Sequence, residues 1–94
     1  MLTQKNYMKL EFPARSVNEG FARAAVAAFA AQLDPTLAEL GDIKTAVSEA
    51  VTNAIVHAYP DTLGKIVVRV RLLDGGVLEI AVYDWGRGIA DVEK

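Results

Sequence analysis

The sequence predicts an α/β fold, a two-layer sandwich in which helices cover one face of a mixed, mostly antiparallel sheet. Two patterns predict it. Residues 7–12, 66–72 and 78–84 alternate apolar and polar side chains, which is typical of strands with one buried face. Residues 16–33 and 43–58 instead carry apolar side chains at helical spacing, so the elements follow the order β-α-α-β-β.

The first strand, residues 7–12, is expected to open the sheet and to end at Pro13, which has no backbone N–H to donate. Ser16 followed by Glu19 is the sequence signature of a capping box, so the first helix is expected to start there. The regularly spaced apolar residues of this helix are Phe21, Ala25, Ala28, Phe29 and Leu33.

A second, longer helix is predicted over residues 43–58. Residues 34–40 are expected to form a turn or short helix, which Gly41 and Asp42 break and recap before the long helix begins. At 100° per residue the long helix has one apolar arc, and Glu49 and Asn53 lie along its flank. The arc consists of Ile43, Val47, Ala50, Val51, Ala54 and Ala58.

The last two strands are predicted to form a hairpin. Residues 66–72 place their apolar side chains on one face, whereas Arg69 and Arg71 lie on the other, solvated face opposite Glu79. The tripeptide Asp-Gly-Gly at residues 74–76 supplies the turn between the strands.

The composition is that of a small globular domain, and one domain over residues 1–94 is expected. The chain has 94 residues, 52% of them hydrophobic, and a net charge of −2 without a basic stripe, so direct nucleic-acid binding is not expected. The absence of cysteine excludes a disulfide framework or a thiolate metal site and fits a cytoplasmic location. No apolar run is long enough for a transmembrane segment, so no membrane partner is expected.

The candidate functional residues lie in two segments. Glu49 and Asn53 are one helical turn apart, at the edge of the core, where a carboxylate costs free energy unless it is paired or wet. The register of the last strand puts Asp84 on the apolar face, and Gly86 and Gly88 then let the chain approach a ligand closely. The combination indicates a nucleotide site. The chain has no P-loop or Rossmann motif to suggest another kind.

These residues resemble two motifs of the GHKL superfamily of ATP-binding domains, which have the Bergerat fold. Residues 49–59, EAVTNAIVHAY, are similar to its N box, and residues 84–89, DWGRGI, to its first glycine box. The resemblance covers nearly the whole chain. Within the superfamily, residues 43–49, IKTAVSE, are most similar to the anti-sigma F factors of spore-forming bacteria, a family of serine/threonine protein kinases.

The resemblance implies a function and a role for each site residue. Such a protein binds ATP with Mg²⁺, sequesters a sporulation sigma factor, and phosphorylates an anti-anti-sigma antagonist. Asn53 is implied to bind Mg²⁺ at the ATP phosphates, and Glu49 to act as the catalytic general base. Asp84 is implied to accept a hydrogen bond from the adenine amino group, and Gly86 and Gly88 to shape the pocket wall.

Two alternatives stay open. Members of the superfamily continue past the first glycine box into a lid, a second glycine-rich segment and closing strands, whereas this chain ends at Lys94. The fold is therefore expected to be incomplete at its C-terminus, and a binding module that holds nucleotide without turnover is one alternative. The catalytic domain of a sensor histidine kinase, whose pocket would look alike, is the other. A homodimer is also expected, because an open sheet edge favours pairing with a second chain.

Overall fold

The computed structural model of the chain describes residues 3–58 and 64–85. Within them the predicted element order β-α-α-β-β is found, with a 3₁₀ turn between the helices. The elements are β1 (Gln4–Pro13), α1 (Val17–Ala30), the 3₁₀ turn (Ala31–Leu33), α2 (Leu37–Ala58), β2 (Lys65–Leu73) and β3 (Val77–Trp85). None of the described helices combines the length and the hydropathy that crossing a bilayer requires.

The three described strands form one sheet in the order β1-β2-β3. Both pairings are antiparallel, and Ile66 of β2 lies between Phe12 of β1 and Asp84 of β3, so these three residues share a face. The predicted α/β fold is therefore confirmed. The parallel pairing that a mixed sheet would contain is not found among the described strands.

The core lies between one face of the sheet and the two helices. The central strand β2 contributes Ile66, Val68 and Val70, none of which has any exposed area. They pack in one cluster with Val26 of α1 and Val51 of α2. Burial of a side chain of this size stabilises the fold by about 2 kcal/mol. The predicted inner face of β2 is confirmed, and so is the predicted apolar arc of α2 at Val47, Val51 and Ala54, whereas the side chain of Ala58 lies outside the description.

The buried face of α1 differs from the predicted one. Ala22, Val26 and Ala30 are fully buried, whereas Phe21 is 55% exposed and Ala28 is exposed. The helix is thus turned by about one residue, or 100°, from the expected orientation. Small side chains on the inner face let α1 approach its neighbours closely. The Phe21 ring instead packs edge-to-face on Phe12, with 6.4 Å between ring centroids.

The predicted capping box at the start of α1 is wrong. Ser16 makes no side-chain cap hydrogen bond, and its backbone is helical, with φ −60° and ψ −29°. A serine caps a helix from an extended backbone, from which its hydroxyl reaches the N–H groups of the first turn. Here the backbone carbonyl of Ser16 accepts from the Glu19 N–H at 3.2 Å, and the Glu19 side chain binds elsewhere.

The second helix is longer than predicted, because Gly41 does not break it. The helix starts at Leu37 through a capping box that the sequence analysis missed. The Glu39 N–H donates to Thr36 Oγ1 at 3.1 Å, and the Thr36 N–H donates to Glu39 Oε1 at 2.8 Å. A glycine inside a helix costs about 1 kcal/mol relative to alanine, which these bonds and the packing of the helix offset.

The hairpin and its solvated face agree with the sequence prediction. Gly75 and Gly76 have φ of 80° and 75°, a backbone that side-chain-bearing residues rarely adopt. On the solvent side of the sheet, Arg71 forms an ion pair with Glu79, with 2.6 Å between nitrogen and oxygen. This hydrogen bond holds the pKa of Glu79 below its ordinary value of 4.5.

Substitution of Thr36 by alanine is expected to lower the free energy of unfolding by about 1 kcal/mol, since it removes the side-chain half of the capping box. Urea unfolding followed by far-UV circular dichroism measures the change. Thr45→Ala is the matched control, because Thr45 is exposed on the same helix and makes no side-chain hydrogen bond to the described residues. Equal losses in the two variants would contradict the capping role.

The stability conferred by Glu79 is expected to depend on pH. Because folding lowers its pKa, the pair with Arg71 stabilises the fold above pH 4.5, and this contribution is lost as the pH falls through the folded-state value. Glu79→Gln should therefore lower the melting temperature slightly at neutral pH, and the difference from the parent should vanish in acid.

Thermal melts over a pH series, at low and high salt, measure this effect, which salt should reduce because the pair is exposed. Asp42→Asn, which removes the same charge from an exposed position, is the control. A difference between Glu79→Gln and the parent that is independent of pH would contradict the assignment.

Candidate functional site

The second helix carries Glu49 and Asn53 as predicted, but both are exposed, so the predicted position at the edge of the core is not found. Val47 and Val51 are buried against the sheet, and Ala54 is also buried, whereas Glu49 and Asn53 are exposed. The two polar side chains are one turn apart on the same side of the helix. The burial of Val47 and Val51 against the core fixes the direction in which Glu49 and Asn53 face.

Both polar side chains are available for a ligand. Within the part of the chain that the structure describes, neither the Glu49 carboxylate nor the Asn53 amide makes a hydrogen bond or an ion pair. Neither belongs to a group of three or more His, Cys, Asp or Glu residues that would hold a metal ion by themselves; no such group occurs among the described residues. Mg²⁺ needs only one or two protein oxygens when phosphates and waters supply the rest, so this donor set fits Mg²⁺ bound with a nucleotide.

The predicted register of Asp84 is found, but its predicted burial is not. Asp84 pairs with Ile66, which has no exposed area, and so lies on the inner face of the sheet. Asp84 itself is exposed. The reason is its position in the sheet: β2 has a strand on each side, whereas β3 has a described neighbour on one side only. The Asp84 carboxylate is therefore solvated, so most of the desolvation free energy that burial would cost is avoided.

The first half of α2 lies near the start of β3. Ile43 in the first half of α2 and Leu78 near the start of β3 line one surface pocket. A helix of 22 residues is about 33 Å long and a strand of nine residues about 30 Å. Asn53 lies about 15 Å beyond Ile43, and Asp84 about 20 Å beyond Leu78. Each residue thus lies toward the C-terminal end of its own element, away from this pocket.

The two glycines of the predicted site, Gly86 and Gly88, lie outside the described residues. The side chain of Trp85 is also outside the description, although its backbone ends β3. The described part of the candidate site therefore consists of Glu49 and Asn53 on α2 and Asp84 on β3.

One polar contact next to this site was not predicted from the sequence. The hydroxyl of Ser48, the residue before Glu49, donates to Oε2 of Glu19 in α1. Arg23 donates to the same oxygen at 3.0 Å. Ser48 and Glu19 are 29 residues apart in sequence, and no local sequence pattern signals such a contact.

Comparison with known proteins identifies the family. A family model described as the histidine kinase-like ATPase domain matches residues 12–94. The chain belongs to this family. The match extends from the last residues of β1 through both helices and the hairpin, and includes Glu49, Asn53 and Asp84. An ATPase domain implies ATP binding, so the predicted superfamily and its nucleotide are supported at this level.

The chain is also similar to proteins named anti-sigma F factor. It is 60% identical to the one from Caldanaerobacter subterraneus subsp. tengcongensis over 89 residues, which are 95% of this chain and 62% of the relative. It is 58% identical to the one from Heyndrickxia coagulans over 93 residues and 54% identical to the one from Geobacillus stearothermophilus over 90 residues. In each case the chain spans 62% of the relative's length.

Proposed function

We propose that this chain is the nucleotide-binding part of an anti-sigma factor that is also a serine/threonine protein kinase. The protein binds ATP with Mg²⁺, holds a sporulation sigma factor, and phosphorylates a serine of an anti-anti-sigma antagonist. The observation that supports the nucleotide site is that Glu49, Asn53 and Asp84 are all exposed within the segment that the ATPase family model matches, and that Glu49 and Asn53 make no polar contact with the described residues. The similarity to anti-sigma F factors supports the sigma factor and the antagonist as partners.

Each residue has a role in the proposed reaction. Asp84 accepts a hydrogen bond from the adenine amino group, and Gly86 and Gly88 form the adjoining pocket wall. The Asn53 side-chain oxygen helps to hold Mg²⁺, which offsets the negative charge of the phosphates. Glu49 accepts the proton of the serine hydroxyl as its oxygen bonds to the γ-phosphorus, while the bond from that phosphorus to the bridging oxygen breaks and ADP leaves.

The proposal also includes a cytoplasmic location and a homodimer. A sigma factor acts on RNA polymerase in the cytoplasm, so a protein that sequesters it has to be there. Within the described sheet, β1 and β3 are both edge strands, and an edge strand presents unpaired backbone groups to a second chain. Sedimentation equilibrium with and without nucleotide tests the dimer.

Titration with ADP, with and without Mg²⁺, is the experiment that tests the nucleotide site. Fluorescence of Trp85, the single tryptophan, reports binding, and calorimetry checks the result if Trp85 is silent. Saturable binding that Mg²⁺ tightens is expected. The longer relative from Caldanaerobacter subterraneus, measured in parallel, is the reference protein. A folded chain that binds no ADP, while this relative does, would contradict nucleotide binding by this chain.

Replacement of Asp84 by asparagine is expected to weaken ADP binding about tenfold to a hundredfold, because it removes the charge from the hydrogen bond to the adenine amino group. Guanine has a carbonyl oxygen at the equivalent position, so the weak binding of GDP should not fall. Asp42→Asn makes the same change at an exposed residue in the first half of α2. It is the control and should leave both affinities unchanged. Unaltered ADP affinity in Asp84→Asn would contradict the adenine contact.

Replacement of Asn53 by alanine is expected to abolish the effect of Mg²⁺ on ADP affinity, because the variant lacks the side-chain oxygen that binds the ion. The affinity measured with Mg²⁺ should fall to the value measured without it. Thr52→Ala, at the exposed neighbouring residue, is the control. A Mg²⁺ titration that matches the parent's would argue against the ligand role.

Phosphotransfer separates the proposal from its two alternatives. Transfer of the γ-phosphate of labelled ATP to serine of an anti-anti-sigma protein, lost in Glu49→Gln, supports the serine kinase. Binding of ADP and of a sigma factor without transfer would instead identify a nucleotide-dependent binding module. Acid-labile phosphate on histidine would identify a histidine-kinase catalytic domain.

A further inference from the structure

The contact between Glu19 and Ser48 joins two helices that otherwise meet through small apolar side chains. Ala22 and Val26 of α1 and Val51 of α2 belong to one fully buried cluster. Apolar contacts of this kind have no preferred direction, so they hold the helices together but fix their relative rotation weakly. Among the described residues, the bond from Ser48 to Glu19 is the one side-chain hydrogen bond between α1 and α2.

The carboxylate that receives this bond is held in place from two sides. Glu19 Oε2 accepts from Ser48 of α2 and from Arg23, one turn further along α1, at 3.0 Å. The Glu19 side chain is only 21% exposed, whereas that of Arg23 is 44% exposed. A charged acceptor makes this hydrogen bond stronger than one between neutral groups. Glu19 is therefore a fixed point on α1 to which Ser48 is attached.

The position of Ser48 connects this fixed point to the candidate site. Glu49 follows Ser48 directly, and Asn53 lies five residues after Ser48 on the same helix. A helix rotates as a unit, and a rotation of about 10° moves an atom about 6 Å from its axis by about 1 Å. A displacement of that size is enough to reduce a rate about a hundredfold when the group must meet a reacting atom.

We propose that Glu19 and Ser48 form an interhelical clamp that sets the rotation of α2 and thereby directs Glu49 and Asn53 toward the Mg-nucleotide. Both are positioning residues, which act through α2 and do not touch the ligand. The nucleotide part of this inference rests on the proposed function. The rotation of α2 is a property of the fold and is testable separately.

Calorimetric titration of ADP with and without Mg²⁺ tests the nucleotide part, at a temperature where every variant is folded. Ser48→Ala is expected to weaken Mg-ADP binding about fivefold, the usual worth of one hydrogen bond, with a smaller effect on ADP alone. Ser48→Thr, which keeps the hydroxyl, should restore the affinity. Thr45→Ala, which removes an exposed hydroxyl three residues earlier on α2, should match the parent. A lowered melting temperature with unchanged Mg-ADP affinity would show a structural role only and overturn the proposal.

Amide nitrogen–proton spectra test the rotation of α2 without any nucleotide. The amide five positions after each substitution is compared, which is Asn53 for Ser48→Ala and Ala50 for Thr45→Ala. A shift at Asn53 that exceeds the shift at Ala50, and that Ser48→Thr reverses, supports the clamp; equal shifts overturn it. A parent chain that binds no ADP would overturn the proposed function and the nucleotide part of the clamp together, while the spectra would still decide whether the contact sets the rotation of α2.

Discussion

The packing of one side of α2 against the central strand is the constraint on which the rest of the structure depends. Ile66, Val68 and Val70 of β2 have no exposed area, and Val47 and Val51 of α2 are buried in the same cluster. Because that side of the helix must face the sheet, its polar edge has one available direction. The buried side of α2 therefore sets the direction of Glu49 and Asn53, although neither residue is part of the core. A change in the volume of the valines would move the polar edge as well as cost stability, since packed cores adjust by shifting their elements.

The same sheet explains why the candidate site opens at the end of β3. The central strand has a neighbour on each side, and three of its inner side chains are fully buried, whereas Leu78, Ile80 and Val82 of β3 are only partly buried. Asp84 lies on the same face of β3, at the end of the strand, and is exposed to solvent. A carboxylate in this position costs little in the absence of a ligand, and an adenine ring that covers it would strengthen its hydrogen bond by excluding water.

The parts of the fold that could be predicted from the sequence are those encoded by a regular period. The alternation of apolar and polar residues predicts the inner face of β2 and the register of Asp84. Helical spacing predicts the side of α2 that carries Val47 and Val51. The face of α1 was misjudged because its buried residues are mainly alanines, which differ less from exposed residues in hydropathy than Phe21 does. The start of α2 differs from the predicted one because Gly41 and Asp42 resemble a helix break, whereas the capping box that starts the helix lies earlier, at Thr36 and Glu39. The contact between α1 and α2 is non-local, so only the three-dimensional packing reveals it.

Membership of the histidine kinase-like ATPase family does not by itself select serine or histidine as the phosphate acceptor. The roles proposed for Glu49, Asn53 and Asp84 concern the nucleotide and its transfer in general, and one fold accommodates several functions. The similarity to anti-sigma F factors extends over 95% of the chain, including β1 and α1, which have no place in the proposed contacts with nucleotide. Identity of 60% over that length is more than a shared nucleotide site requires. It extends well beyond the candidate nucleotide site, and it therefore favours the anti-sigma proposal over a histidine kinase.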